Sequence, residues 1–158
     1  MKKPLDPNSH AILDYALGIG CLAIPAIANF NPISSIATYT VGIAQLGMSL
    51  FTQYPASVVK AIPFKVHGAI ELTTGVGMVA ASLVPNLLDK KAKTYFFSSG
   101  VSIIGIYMMT DYSTQAVADA QIEFDQMRDD ATREINEMVD NFEQDIPNPV
   151  ADLIRKAS

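Results

Sequence analysis

The sequence predicts an all-α protein: a four-helix transmembrane bundle made from a parallel two-hairpin repeat, with a C-terminal amphipathic helix outside the membrane. Three observations predict it. Apolar residues make up 49% of the chain and charged ones only 17%, below the roughly 25% usual for soluble domains. The few charges are also unevenly placed. None occurs between Asp14 and Lys60, and further uncharged stretches run from Leu72 to Leu88 and from Thr94 to Thr110. The last two come close to the about 20 residues a helix needs to cross a bilayer, and the first is long enough for two crossings. Finally, the chain repeats itself. His10, Asp14, Gly18 and Gly20 match His67, Glu71, Gly75 and Gly77 at an offset of 57, and Gly42, Gly47, Thr52 and Tyr54 match Gly100, Gly105, Thr110 and Tyr112 at 58.

Each unit reads as a helical hairpin. The first helix is expected from about Ser9, a plausible N-cap, to Phe30, with Asn31-Pro32 turning the chain into a second helix that reaches about Tyr54. Pro55 and Pro63 bound a connector. A third helix then covers about Phe64 to Leu88, Asp89 to Lys93 form a turn, and a fourth ends near Tyr112. Domain limits follow: residues 1–112 are the transmembrane part, with repeats at about 9–54 and 64–112, and 113–158 are the tail. Two crossings per unit make the repeat parallel, with its pseudo-twofold axis along the membrane normal. Lys2, Lys3, Lys60 and Lys65 lie on the side of the termini against Lys90, Lys91 and Lys93 opposite, a bias that places both termini in the cytoplasm. Lys2 and Lys3 before an apolar run also resemble a signal peptide. The same pattern recurs at residue 67, where no signal can sit, so the run is read as a retained helix.

The parallel repeat gathers polar residues at one end of the bundle. His10 and Asp14, and again His67 and Glu71, stand at i and i+4, on one helix face one turn apart, a spacing that can chelate a metal. Two facing pairs offer a divalent ion two imidazoles and two carboxylates, or offer a haem two axial histidines. The alternative reading is an interhelical hydrogen-bond network in the headgroup zone, with Gln53, Tyr54, Asp111 and Tyr112 nearby and the tyrosines in an interfacial aromatic belt. No constellation reads as catalytic.

Other motifs carry less. Gly18-x-Gly20-x-x-Ala23 and Gly75-x-Gly77-x-x-Ala80 fit a dinucleotide pattern but sit mid-helix, where that chemistry has no strand-to-helix turn to use. They read instead as small-residue contacts between membrane helices, as do Gly42, Gly47, Gly100 and Gly105. Pro25 is expected to kink the first helix. Cys21 is the lone cysteine, which excludes an intrachain disulfide, a CxxC pair and a thiolate cage.

The tail differs in charge. Residues 1–112 hold seven lysines and five acids, whereas 113–158 hold four bases and eleven acids. A segment that acidic avoids anionic lipid and nucleic acid. Val117, Ala120, Phe124, Met127, Ala131, Ile135, Met138 and Phe142 recur at three- and four-residue steps, the stripe of an amphipathic helix ended by Pro147 and Pro149. Phe124, Met127, Ile135, Met138 and Phe142 are the expected contact residues, either to the protein's own bundle, to a second copy or to a distinct partner.

The two units resemble the SPW-repeat family of small bacterial membrane proteins. The likeness rests on His10, Asp14, Gly18 and Thr52-Gln53-Tyr54, and on His67, Glu71, Gly75 and Thr110-Asp111-Tyr112; it covers about residues 9–112 and not the tail. Ile24-Pro25-Ala26 and Ala81-Ser82-Leu83 stand where that family has its Ser-Pro-Trp step. The resemblance implies a four-helix fold in the bacterial cytoplasmic (inner) membrane and implies no activity. The expected function is a non-catalytic membrane module, self-associating or accessory to a larger complex. The alternatives are a metal- or haem-binding protein using His10, Asp14, His67 and Glu71, and a small transporter.

Overall fold

The computed structural model describes residues 3–145; Lys2, Pro147 and Pro149 lie outside them. Among the described residues the chain is helical, with α1 (Pro7–Ala28), α2 (Pro32–Leu50), α3 (Phe64–Leu83), α4 (Lys90–Met109) and α5 (Thr114–Asp145). Helix ends differ from the sequence expectation for local reasons. Asp6, not Ser9, caps α1: its carboxylate accepts from the backbone N–H groups of Asn8 and Ser9, and Pro7 occupies the first helical position, where no N–H is needed. Helix α3 stops at Leu83 rather than Leu88 because Val84 precedes Pro85 and is extended. Asp89 caps α4 by accepting from Ala92, so Lys90 to Lys93 belong to that helix instead of the turn. Helix α1 continues through Pro25 and closes at Asn29, whose φ of 55° is left-handed.

The chain forms two units, 1–122 and 123–158. In the first, α1 packs along α2 and α3 along α4, and the two hairpins meet chiefly where α1 passes α4. Glycine permits the close approach within each hairpin. A Cβ on Gly42 would stand 3.0 Å from the carbonyl oxygen of Gly18, and one on Gly100 would stand 2.6 Å from that of Gly75. Gly47, Gly77 and Gly105 face open space and Gly20 meets only the Tyr95 hydroxyl at 3.5 Å, so of the expected glycine contacts the tight ones are those of Gly18, Gly42, Gly75 and Gly100.

The pseudo-twofold relation extends to the segments between helices. Leu5 bridges Thr110 and Ile62 bridges Thr52, each as a single parallel pair. At the far end Asn31 and Asp89 are equivalent N-caps joined across the hairpins: the Asn31 N–H donates to Asp89 Oδ2 at 2.9 Å, and the Asp89 N–H donates to Ser34 Oγ at 3.0 Å. The start of α5 belongs to this unit as well. Ala120 is buried and its carbonyl accepts from Asn8 Nδ2, while Lys60 Nζ donates to Gln121 Oε1.

An apolar cluster of Met78, Leu88, Ala92, Phe96 and Ile103 is buried, but elsewhere burial is inverted relative to a water-soluble bundle. The stripe that α2 buries is Ser34, Thr38, Gly42, Gln45 and Ser49, all polar or small. Outward on α1 and α2 stand Ile12, Ile19, Ile27, Ile33, Ile36 and Ile43, each at least 60% exposed. Helices α1 and α3 are long and apolar enough to cross a membrane. Helices α2 and α4 fall short of that measure; in α2 the residues that lower it include Ser34, Thr38, Gln45 and Ser49, which face inward.

The second unit is the remainder of α5. Phe124 is half-buried, and Met127, Ile135, Met138 and Phe142 are exposed. Arg128 pairs with Asp125 and Asp129, and Arg133 with Asp130, all on the surface.

Candidate metal centre

Four residues singled out in the sequence meet in the interior. His10 and Asp14 come from α1, His67 and Glu71 from α3, and none is more than 2% exposed. One donor atom from each lies within 4.8 Å of every other. The closest contacts cross between hairpins: His10 Nε2 is 3.0 Å from Glu71 Oε2, and His67 Nε2 is 3.0 Å from Asp14 Oδ2. The pairs within a helix are looser, 3.4 Å for His10 with Asp14 and 3.5 Å for His67 with Glu71. Both imidazoles turn the same atom inward, with Nε2 to Nε2 at 3.4 Å.

Two threonines hold the outer ring nitrogens. His10 Nδ1 is 2.8 Å from Thr110 Oγ1, and His67 Nδ1 is 2.7 Å from Thr52 Oγ1. Each threonine is the residue paired with the segment leading into the helix that carries its histidine, so one backbone bridge sets each contact. Both hydroxyls also donate to the carbonyl four residues back, Thr52 to Met48 and Thr110 to Ile106, at 2.7 Å. A hydroxyl has a single proton. Having given it to the backbone, each threonine can only accept from the histidine, so Nδ1 carries hydrogen in both rings. In the neutral imidazole that leaves a bare lone pair on each Nε2.

The carboxylates are less evenly served. Gln45 Nε2 donates to Glu71 Oε1 at 2.9 Å. Ser49 Oγ and Tyr54 OH approach Asp14 Oδ2 at 3.4 Å. Glu71 Oε2 is buried and has no hydrogen-bond partner, although His10 Nε2 is only 3.0 Å away.

An aromatic cap covers the cluster on the side of the termini. Phe64, the first residue of α3, meets His10 edge-on at 5.1 Å and also touches Tyr54, His67 and Tyr112. Tyr54 is fully buried, not part of an interfacial belt. Burial pushes the phenols of Tyr54 and Tyr112 well above their ordinary range, and both stay protonated. A Cβ on Gly68 would meet the Tyr112 ring at 2.5 Å, so glycine there makes room for the cap.

Not every residue expected at this end joins the cluster. Gln53 is exposed and donates to the Lys60 carbonyl. Conversely, Gln45 and Ser49 reach the cluster without having drawn attention in the sequence, because their repeat-equivalents are Ile103 and Tyr107. Their spacing with Ser34 and Thr38 on one face of an apolar helix was the available signal. Chemically, the set can hold one dication, or two protons shared between imidazoles and carboxylates. Compared with protein-family models, curated proteins and solved structures, the chain matches none.

Proposed function

We propose that the chain is a non-catalytic integral membrane module in which α1 to α4 all cross the bilayer, both termini face the cytoplasm, and α5 presents its apolar stripe to a protein partner or a second copy. The single observation that carries this reading is the inverted burial. Asp14 and Glu71 are 2% exposed while Ile12, Ile27 and Leu83 are 69%, 73% and 69% exposed. In water that arrangement leaves these large apolar side chains wet, at roughly 25 cal/mol per Å2; in lipid it is the favoured one, because polar groups must find partners inside the protein.

The same pattern accounts for the weak apolar character of α2. Lipid supplies no hydrophobic drive between helices, so small-residue contacts and polar bonds must hold a bundle together. Gly18 against Gly42 and Gly75 against Gly100 serve within the hairpins, and the His/carboxylate set serves between them. The likeness of the two His-x3-acid-x3-Gly units to SPW-repeat proteins points the same way. A cluster this enclosed, with each carboxylate crossed onto the other hairpin's histidine, suits fastening rather than turnover. On α5 the stripe from Met127 to Phe142 lies between acids, which suits contact with protein rather than with anionic lipid.

Alkaline extraction of membranes from expressing cells tests the first part. The protein should stay in the pellet with multi-pass controls, and release into the supernatant would refute it. Truncation after Ile122 tests the second. The bundle should remain helical in mild detergent while losing its oligomer or its partner, and unchanged assembly would remove α5 from the role.

A further inference from the structure

We propose that His10, Asp14, His67 and Glu71 bind one divalent first-row transition metal ion, of the zinc type, as a closed structural site that locks the two hairpins together. This goes beyond the module reading and does not depend on it.

The tautomers are the first ground. With both Nδ1 atoms donating to threonine, neutral imidazoles present two Nε2 lone pairs beside two carboxylates, all four residues buried and one donor atom from each within 4.8 Å of the others. With the imidazoles neutral, four acceptors turned on one another repel, and one metal ion relieves this in place of two added protons. Glu71 Oε2 shows the consequence locally: it is buried and 3.0 Å from the His10 ring nitrogen, yet has no hydrogen-bond partner. A metal-ligating histidine fixed through its other nitrogen is the usual supporting arrangement for such a site.

The second ground is size. Four donors at about 2.0 to 2.2 Å from one ion stand about 3.3 to 3.6 Å apart at tetrahedral angles. The observed nitrogen–nitrogen separation is 3.4 Å and the nitrogen–oxygen separations run from 3.0 to 3.5 Å. These distances engage both oxygens of each carboxylate, and with one donor atom taken from each residue the four lie within 4.8 Å of one another, so modest side-chain rotation draws one oxygen of each carboxylate into a tetrahedron. Calcium needs six to eight oxygens at about 2.3 to 2.6 Å, and this set has two imidazoles. A haem fits no better: trans nitrogens on one iron stand about 4 Å apart with the macrocycle between them, against 3.4 Å here.

Charge is the third. Two carboxylates and a dication sum to zero, and a neutral group is the one form a low-dielectric interior accepts cheaply. A monovalent ion leaves the site negative and a trivalent one leaves it positive. Imidazole and carboxylate together suit zinc, iron, cobalt or nickel over copper(I), which prefers sulfur. Each carboxylate points one oxygen at each histidine, so the set can also accept a five- or six-coordinate ion.

The test uses the full-length chain purified in mild detergent. Elemental analysis is expected to find about one divalent transition metal per chain, and Zn2+ titrated into chelator-stripped protein against a competing chelator should restore it. Asp14→Asn with Glu71→Gln keeps shape and removes both charges, and should abolish uptake. Since that pair can also impair folding, Thr52→Val with Thr110→Val provides an independent arm: all four donors remain, the Nδ1 anchors are lost together with the hydroxyl bonds to the Met48 and Ile106 carbonyls, and Zn2+ affinity should fall by about 10- to 100-fold at unchanged helix content. Co2+ in place of Zn2+ should give the intense visible bands of a tetrahedral site. Wild-type protein that neither carries a metal nor takes up Zn2+ would overturn the proposal, as would Zn2+ affinity unchanged in both double variants.

Discussion

His10 Nδ1 lies 2.8 Å from Thr110 Oγ1, and its repeat-equivalent His67 Nδ1 lies 2.7 Å from Thr52 Oγ1; each pair joins one hairpin to the other. Thr110→Val leaves a buried N–H with no acceptor, which costs about 1 to 3 kcal/mol. Thr110→Ser keeps the oxygen and should lose no more than about 1 kcal/mol, the worth of one buried methyl. Unfolding midpoints of the two variants in one detergent check this, and equal losses would show that the oxygen is not what matters.

Glycines that look alike in the sequence should respond differently to alanine. At Gly100 a Cβ meets backbone, 2.6 Å from the Gly75 carbonyl oxygen and 3.0 Å from Val79 N, and helix backbones cannot step aside as a side chain can. Gly100→Ala is therefore expected to destabilise by at least 1 to 3 kcal/mol on the scale of an overpacked core, about what forced backbone shifts cost. At Gly105 nothing lies within 4 Å, and alanine should gain roughly 0.5 to 1 kcal/mol of helix propensity. Thermal unfolding of both single variants is the measurement, and a loss at Gly105 equal to that at Gly100 would contradict the packing described.

The Asn31–Asp89 latch makes stability depend on pH. Partial burial raises the Asp89 carboxyl, but hydrogen bonds from the Ala92 and Asn31 N–H groups outweigh it and hold the carboxyl below its ordinary 3.8. A carboxyl depressed in the folded state contributes stability above its unfolded value, and that contribution disappears as pH falls through the folded one. Wild type should thus lose more stability than Asp89→Asn between about pH 5 and pH 2, read from unfolding midpoints against pH. Parallel curves would deny the latch a role.

Much of this architecture is legible in the sequence. The repeat offset alone puts His10 beside His67, and the i, i+4 spacing puts each carboxylate on its histidine's helix face. Less visible is that the tighter pairing is crossed, His10 to Glu71 and His67 to Asp14, because helix spacing says nothing about which neighbour lies closer across an interface. Thr52 and Thr110 stood out as repeat matches, but their role needs the Ile62 and Leu5 bridges, which are tertiary. Gln45 was hidden for another reason: in a largely apolar helix a lone amide looks like a tolerated exception, and only its partner Glu71 shows what it does. The misplaced ends of α1, α3 and α4 trace to caps and a pre-proline residue, where one local hydrogen bond outweighs hydropathy.

The most direct test of the four crossings is labelling of single cysteines in sealed inside-out and right-side-out vesicles, in a Cys21→Ser background. Lys60→Cys lies in the connector between the hairpins and Lys91→Cys at the start of α4, so a membrane-impermeant maleimide should reach the first only from the cytoplasmic face and the second only from the opposite face. Labelling of both positions from one face would contradict a bundle whose four helices span the bilayer.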